Sequence, residues 1–322
     1  MSQGLMTIAY GPKKYIRMAR ALALSYRRLH PTLPMAIVTD QANAAEMSAY
    51  FDQVIPYNPA YGSGVVQKLH ADLYSPYDET LFIDSDCIFY KSPERLWNLY
   101  AGKPFSVRGW RYLTGKSDYE RQNPYEWVRN TSDFLRRNGI ARLPHFNSGV
   151  FFFTKEPLAV RLFEEARTIY EKRDSLGFVS FKNAPIADEP AFAVAMEHCG
   201  IEMDPWDSNN GMQTAINMQS GHSINVLKGL ARFRKSNVES DPVLVHYNVN
   251  AQYSLIYNRE VCRLEFENAR FSSLHTAVAL STRMTSAIGE RTRSLVLRLP
   301  SRMKEKGIGG IVGTLRRRLA ST

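Results

Sequence analysis

The run Leu81-Phe82-Ile83-Asp84-Ser85-Asp86-Cys87-Ile88-Phe89 sets two carboxylates inside an otherwise apolar stretch. Residues 81–83 read as a buried strand, so the acidic pair falls where that strand ends. Unneutralised carboxylates are costly in such surroundings. In an open α/β sheet, ligands bind outside the carboxyl ends of the strands. Two carboxylates one residue apart at such an end can hold a divalent cation, whose charge then attracts phosphate. The competing reading is local: aspartates also end strands by bonding nearby backbone in turns.

The segments before this run repeat a strand–helix pattern. Residues 5–10 form a short apolar strand. Residues 14–29 follow as a helix, with Tyr15, Met18, Leu22 and Tyr26 at spacings of three and four. A strand over 34–39 ends in Asp40, a helix covers 42–50, a third strand 52–56, and a helix 65–74 with Pro76 beyond it. This alternation predicts an α/β fold whose mostly parallel central sheet is covered on both faces. The first turn, Ala9-Tyr10-Gly11-Pro12-Lys13, lacks the glycine fingerprint of dinucleotide-binding folds, and a P-loop is absent as well. These absences argue against an ordinary dehydrogenase or NTPase.

The order of parts resembles the GT-A fold of nucleotide-diphospho-sugar transferases, and is most similar to glycosyltransferase family 8-like enzymes over residues 5–260. Besides Asp84-Ser85-Asp86, Phe146-Asn147-Ser148-Gly149-Val150-Phe151 is similar to the segment lining that family's donor-sugar pocket. Asp188-Glu189 stands where the family has an Asp-Gln-Asp helix start beside the reacting sugar. Val245-His246-Tyr247-Asn248 resembles the late strand whose histidine completes the metal site. The chain departs from the family at Glu189, where the family has Gln, and at the Gly and Lys-Pro-Trp that commonly follow the histidine.

The resemblance implies a metal-dependent glycosyltransferase of hexosyltransferase type that uses a nucleotide-sugar donor, with UDP-sugar as the expected carrier. A hard cation bound by oxygen ligands offsets charge developing on a nucleotide-diphosphate leaving group. Asp86 is the expected principal ligand. Asp84 shares the metal or bonds the ribose, and His246 supplies a third ligand, which suits Mn²⁺ better than Mg²⁺ because imidazole is the softer donor. The expected donor contacts are Tyr10, Asp40, Lys68, Asp84, Asn147, Ser148 and Gly149. Lys68 is suited to a phosphate as a point charge, or else lies on a solvated helix face. Tyr10 and Asp40 end strands on one sheet edge, where base stacking and ribose bonding compete with turn roles. Asn147 offers donor and acceptor groups to sugar hydroxyls, and Gly149 allows close approach. Asp188 and Glu189 are the catalytic candidates, or they cap the helix they begin. A carboxylate there would be the general base of an inverting enzyme; the family relatives retain configuration, and retention is the expectation.

Trp110, Tyr112, Tyr119, Tyr125 and Trp127 lie among polar residues over 110–143, a composition that suits either sugar recognition or a packed loop. The domain reading is a catalytic domain over 1–265, with a nucleotide-binding half (1–90) and an acceptor half (91–265). A basic helical or partly disordered extension covers 266–322. From Arg283 onward there are ten Lys or Arg and two acids, so nearly all of the net +10 sits there. A basic, partly amphipathic tail suits an anionic membrane surface, each charge contributing about 1 kcal/mol; a solvated disordered tail is the alternative. Nucleic acid is not an expected partner, since no recognition module is present.

Three scattered cysteines point to a reducing compartment. With neither a signal peptide nor a bilayer-spanning run in sequence, the expected place is the cytoplasm, peripheral on the membrane face beside a glycan or glycolipid acceptor. The rival functions are a sugar-phosphate nucleotidyltransferase, whose Gly-rich N-terminal loop is absent, and a non-catalytic glycan- or membrane-binding scaffold. An aspartyl-phosphate phosphatase is a third, but it normally carries its acidic pair on the first strand.

Overall fold

Strands β1 (Gln3–Ile8), β2 (Met35–Thr39), β3 (Gln53–Pro56) and β4 (Glu79–Ile83) pair in parallel. The computed structural model describes residues 1–115, 128, 130–180, 186–219, 221–235, 237–248 and 254–266. β7 (Leu143–Thr154) joins β4 antiparallel, and β6 (Phe105–Leu113) and β8 (Asp204–Pro205) extend the sheet to the order β3-β2-β1-β4-β7-β6-β8. The central sheet is therefore mostly parallel, as the strand–helix alternation predicts. β1 has β2 on one side and β4 on the other, so the strand order reverses there and leaves a crevice at the carboxyl ends of β1 and β4.

The central strands bury both faces, which is why β4 reads as a continuous apolar run. Leu81 and Ile83 join Val150 and Phe152 of β7 on one face, beneath Ala19, Leu22 and Tyr26 of α1 (Lys13–Arg27). Phe82, Phe151 and Phe153 point the other way. They meet Phe163 of α6 (Pro157–Glu171) and Phe192 of α7 (Glu189–Cys199), and Phe82 stacks on Phe151 at 4.6 Å. Between these lie the helices α2 (Gln41–Met47), α3 (Ala71–Tyr74), α4 (Pro93–Tyr100) and α5 (Thr131–Asn138).

One expected helix forms differently. Residues 65–74 are not continuous α-helix: Gly64–His70 is 3₁₀ and only Ala71–Tyr74 is α. Gly62 and Gly64 both take positive φ ahead of it, and the Gln67 amide donates to the Gly62 carbonyl at 2.6 Å, which tightens the turn. Arg167 of α6 clamps the segment, donating to the Leu69 carbonyl at 2.9 Å and to Asp72 at 2.7 Å. Lys68 thereby has a fixed origin.

A second sheet, β5 (Cys87–Phe89), β13 (Leu244–His246) and β9 (Met212–Thr214), continues directly from the acidic turn. Its register sets His246 opposite Cys87, one residue from Asp86. A third sheet holds β10 (Ser223–Asn225), β11 (Leu230–Lys235) and β12 (Val238–Ser240).

All of these elements belong to one compact unit, Met1–Val249; the other unit is Asn250–Thr322. In the latter, α8 (Leu255–Phe266) carries a fully buried Glu260 paired with Arg259 at 2.9 Å and with Arg263. Tyr119, Tyr125, Trp127 and the basic tail over 283–322 lie outside the described residues. Among the described residues, no helix is long and apolar enough to cross a membrane.

Candidate active site

A cleft of about 360 Å³ opens at the crevice between β1 and β4. Ile8, Ala9 and Tyr10 line it from the end of β1, Lys68 from the 3₁₀ segment, and Asp84, Ser85 and Asp86 from the end of β4. The Tyr10 hydroxyl accepts from the Gly64 N–H at 2.5 Å, its ring stacks on Tyr57 at 4.0 Å, and burial pushes its phenol up to about 12. The sequence reading missed Tyr57, although it follows β3 as Tyr10 follows β1. Asp40 has a local role. It caps α2 by accepting from the Asn43 N–H, accepts from the Gly11 N–H at 2.6 Å, and is not among the cleft-lining residues. Burial opposes its ionisation, but these donors outweigh that and hold it below the usual carboxylate range.

Behind the cleft, two linked networks gather the remaining candidates. In the first, the Lys68 ammonium lies 2.8 Å and 2.9 Å from the two Asp84 oxygens, 3.2 Å from Ser148 Oγ and 3.4 Å from Asp188. Ser148 donates to the same Asp188 carboxylate at 2.6 Å. Burial would lower the Lys68 pKa, but Asp188 and Asp84 more than reverse that, so the ammonium stays charged. Asp188 caps no backbone N–H of α7; its carboxylate serves the lysine and the serine instead.

In the second network, His246 Nε2 lies 3.0 Å from Asp86 and 3.7 Å from Asp84. Its Nδ1 meets Asn147 Oδ1 at 2.9 Å. That amide oxygen also accepts from the Gly149 N–H at 3.1 Å, so it is an acceptor and Nδ1 carries a proton. Nε2 is then the nitrogen left to face the two carboxylates. A β-carbon on Gly149 would sit 2.5 Å from His246 Nδ1 and 2.8 Å from Asn147 Oδ1, so only glycine lets the ring seat here.

The donor set fits a divalent cation. Asp84, Asp86 and Asp188 are three carboxylates against one ammonium. With His246 protonated the cluster retains one negative charge; a divalent cation replacing that proton would bring it to neutrality. Burial disfavours the imidazolium, but the Asp86 charge outweighs it and raises the His246 pKa. The same pairing, working against burial, lowers Asp86. Burial raises Asp84, with the neighbouring carboxylates adding to it. Cys87 Sγ also lies within 4.8 Å of ligand atoms of Asp86 and His246. Burial and the adjacent carboxylates push that thiol well up, so it stays protonated and is a poor ligand beside the oxygen donors.

Glu189 begins α7, half-buried, and burial next to Asp188 raises it to about 8. That shift favours its protonated form near neutral pH, as a donor rather than a base.

The reversal of strand order beside β1, the antiparallel β7 and the acidic turn after β4 define the GT-A architecture. No protein-family model matches the sequence, and no curated protein matches it. Solved structures do match. The galactosyltransferase LgtC, determined with donor and acceptor sugar analogues, aligns at a TM-score of 0.54 and 15% identity over 84% of this chain and 98% of its own. An active-site glutamine-to-glutamate mutant of LgtC aligns at 0.53 and 15%, covering 84% and 98%. The bifunctional glycosyltransferase WbbM aligns at 0.50 and 12%, covering 83% of this chain and 50% of its own. The fold is that of the GT-A glycosyltransferases.

Proposed function

We propose that this protein is a metal-dependent glycosyltransferase that moves a hexose from a nucleotide-diphosphate donor, UDP-sugar, to a glycan or lipid-linked glycan acceptor. The observation that carries this reading is the convergence of Asp84, Asp86 and His246 Nε2 at the switch-point cleft, with Tyr10 and Lys68 on its walls. Asp86, His246 and Asp84 would hold the cation, with Mn²⁺ favoured over Mg²⁺ by the imidazole donor. When bound, the ion supplies charge stabilisation for the departing diphosphate.

The protein's own groups set up the rest. Lys68 places a fixed positive charge in the cleft wall. Asn147 and Gly149 hold the His246 ring, and Ser148 and Lys68 hold Asp188 in one orientation. The state of the carboxylates bears on stereochemistry. An inverting reaction needs an ionised base for the acceptor hydroxyl. Burial beside Asp188 favours the protonated form of Glu189, and Asp188 is engaged by Lys68 and Ser148. This supports retention, with the departing phosphate accepting the acceptor's proton. The basic 283–322 segment supports an anionic membrane surface as the place of work.

Calorimetric titration of UDP, GDP and CMP, with and without Mn²⁺, tests the reading on wild type and Asp86→Ala. Binding of one nucleotide that requires both metal and Asp86 is the expected result. Folded protein that binds no nucleotide would leave Asp84 and Asp86 as turn residues and refute the proposal.

A further inference from the structure

Trp110 is the one aromatic among the exposed large apolar side chains of the described residues, with 43% of its surface open. An indole left this open on one face presents a flat apolar surface to solvent. Its mount is rigid. One contact is an offset stack on Trp206 at 4.7 Å and 29°; another is the His145 ring, edge-on at 4.8 Å. Trp206 is itself anchored at its backbone, whose N–H donates to the Gly109 carbonyl at 2.8 Å. Gly109 permits this packing, since a β-carbon there would lie 2.2 Å from Met203 Sδ and 2.4 Å from the His145 carbonyl.

The platform sits close to the chemistry. His145 and Asn147 are two residues apart on β7, on either side of Phe146, after which the β6–β7 register shifts. Asn147 holds the His246 ring. A short run of contacts therefore links the indole pair to His246: the Trp110 ring meets the His145 ring, and Asn147, two residues further along β7, bonds the His246 imidazole, on the β6–β8 side of the sheet from β1. Polar residues adjoin it in the chain: Arg111 follows Trp110 on β6, and Asp207, Ser208 and Asn209 follow Trp206.

We infer that Trp110, backed by Trp206, is the acceptor subsite: a platform on which the apolar C–H face of a pyranose ring stacks while its hydroxyls face the polar rim. This rests on the transferase reading. A flat, fixed aromatic face matches the axial hydrogens of a pyranose, and the rim matches its hydroxyls. Its occupant is the terminal pyranose of a neutral glycan, whether free or lipid-linked.

The test uses the full chain and methyl glycosides of glucose, galactose, N-acetylglucosamine and N-acetylgalactosamine as probes. Saturation-transfer NMR and tryptophan fluorescence read binding to wild type, Trp110→Ala and Trp110→Tyr, while calorimetry reads UDP with Mn²⁺ on the same samples. The expected result is saturable binding of at least one pyranoside, weakened about tenfold by Trp110→Ala and largely kept by Trp110→Tyr, with UDP affinity unchanged. No pyranoside binding to wild type, equal binding to Trp110→Ala, or a parallel fall in UDP affinity would overturn the inference. Pyranoside binding that needs Trp110 in a protein that binds no nucleotide would sustain the platform and overturn the transferase reading alone.

Discussion

Gly149→Ala puts a methyl group into the tightest gap of the proposed metal site. The new carbon would lie 2.5 Å from His246 Nδ1 and 2.8 Å from Asn147 Oδ1. Ordinary carbon–nitrogen contact is about 3.5 Å, so the imidazole must withdraw by about 1 Å. Asp86 lies 3.0 Å from the far nitrogen, so simple withdrawal is blocked and the ring must turn. Turning breaks the Asn147 hydrogen bond, worth about 1 kcal/mol, and the residual crowding adds about 1–2 kcal/mol. A histidine ligand that loses its outer partner typically weakens metal binding by about 10–100-fold, which is the same range expressed as affinity.

The assay is calorimetric titration of Mn²⁺ in the presence of UDP. The expected loss is about 100-fold for Gly149→Ala against about tenfold for Asn147→Ala, which removes the hydrogen bond without the clash. Wild-type affinity should also fall about tenfold per pH unit on the acid side of the raised His246 pKa, because the metal must displace that proton. Unchanged Mn²⁺ affinity in a folded Gly149→Ala protein would refute the assignment of His246 as a ligand.

Three further outcomes are expected. Lys68→Met leaves Asp84 and Asp188 buried with no ammonium between them and should destabilise the fold by about 3–5 kcal/mol, read by urea unfolding. Glu189→Gln preserves the neutral hydrogen-bonding form, so its rate near neutral pH should stay within about threefold of wild type while any alkaline decline near the Glu189 pKa disappears; a large loss at neutral pH would show that ionised Glu189 acts. Burial lowers the Lys235 pKa to about 8, and among the described residues the ammonium meets neutral partners, Gln213 Oε1 at 3.5 Å and Thr214. The unfolded chain then binds more protons than the folded one between about pH 8 and 10.4, so this group makes stability rise with pH in that window, and Lys235→Met should flatten the trend in thermal melts.

Several site residues were legible in the sequence because their signals are local. The apolar run into Asp84 and Asp86 marks a strand end whatever the rest of the chain does. The strand–helix alternation forces the sheet, since each amphipathic or apolar segment must bury a face against another layer. Lys68 was legible only as a basic residue on a helix, and its partners were not. Asp40 carried the same strand-end signal as Asp84, yet the structure makes it a helix cap, because the residues after it begin α2 and supply N–H donors. The 3₁₀ stretch over Gly64–His70 escaped the periodicity because one turn of either helix type spaces side chains almost alike.

What the sequence by itself determined is the set of elements and the residue types at their ends, since propensity, period and capping act within a few residues. What only the tertiary structure decided is which ends meet. The order β3-β2-β1-β4-β7-β6-β8 brings Lys68, Ser148 and Asp188 together on Asp84. The β5–β13 register delivers His246 to Asp86. Strand order and register come from how whole faces pack, a sum over the two cores on either side of the sheet. No window of neighbouring residues contains that sum.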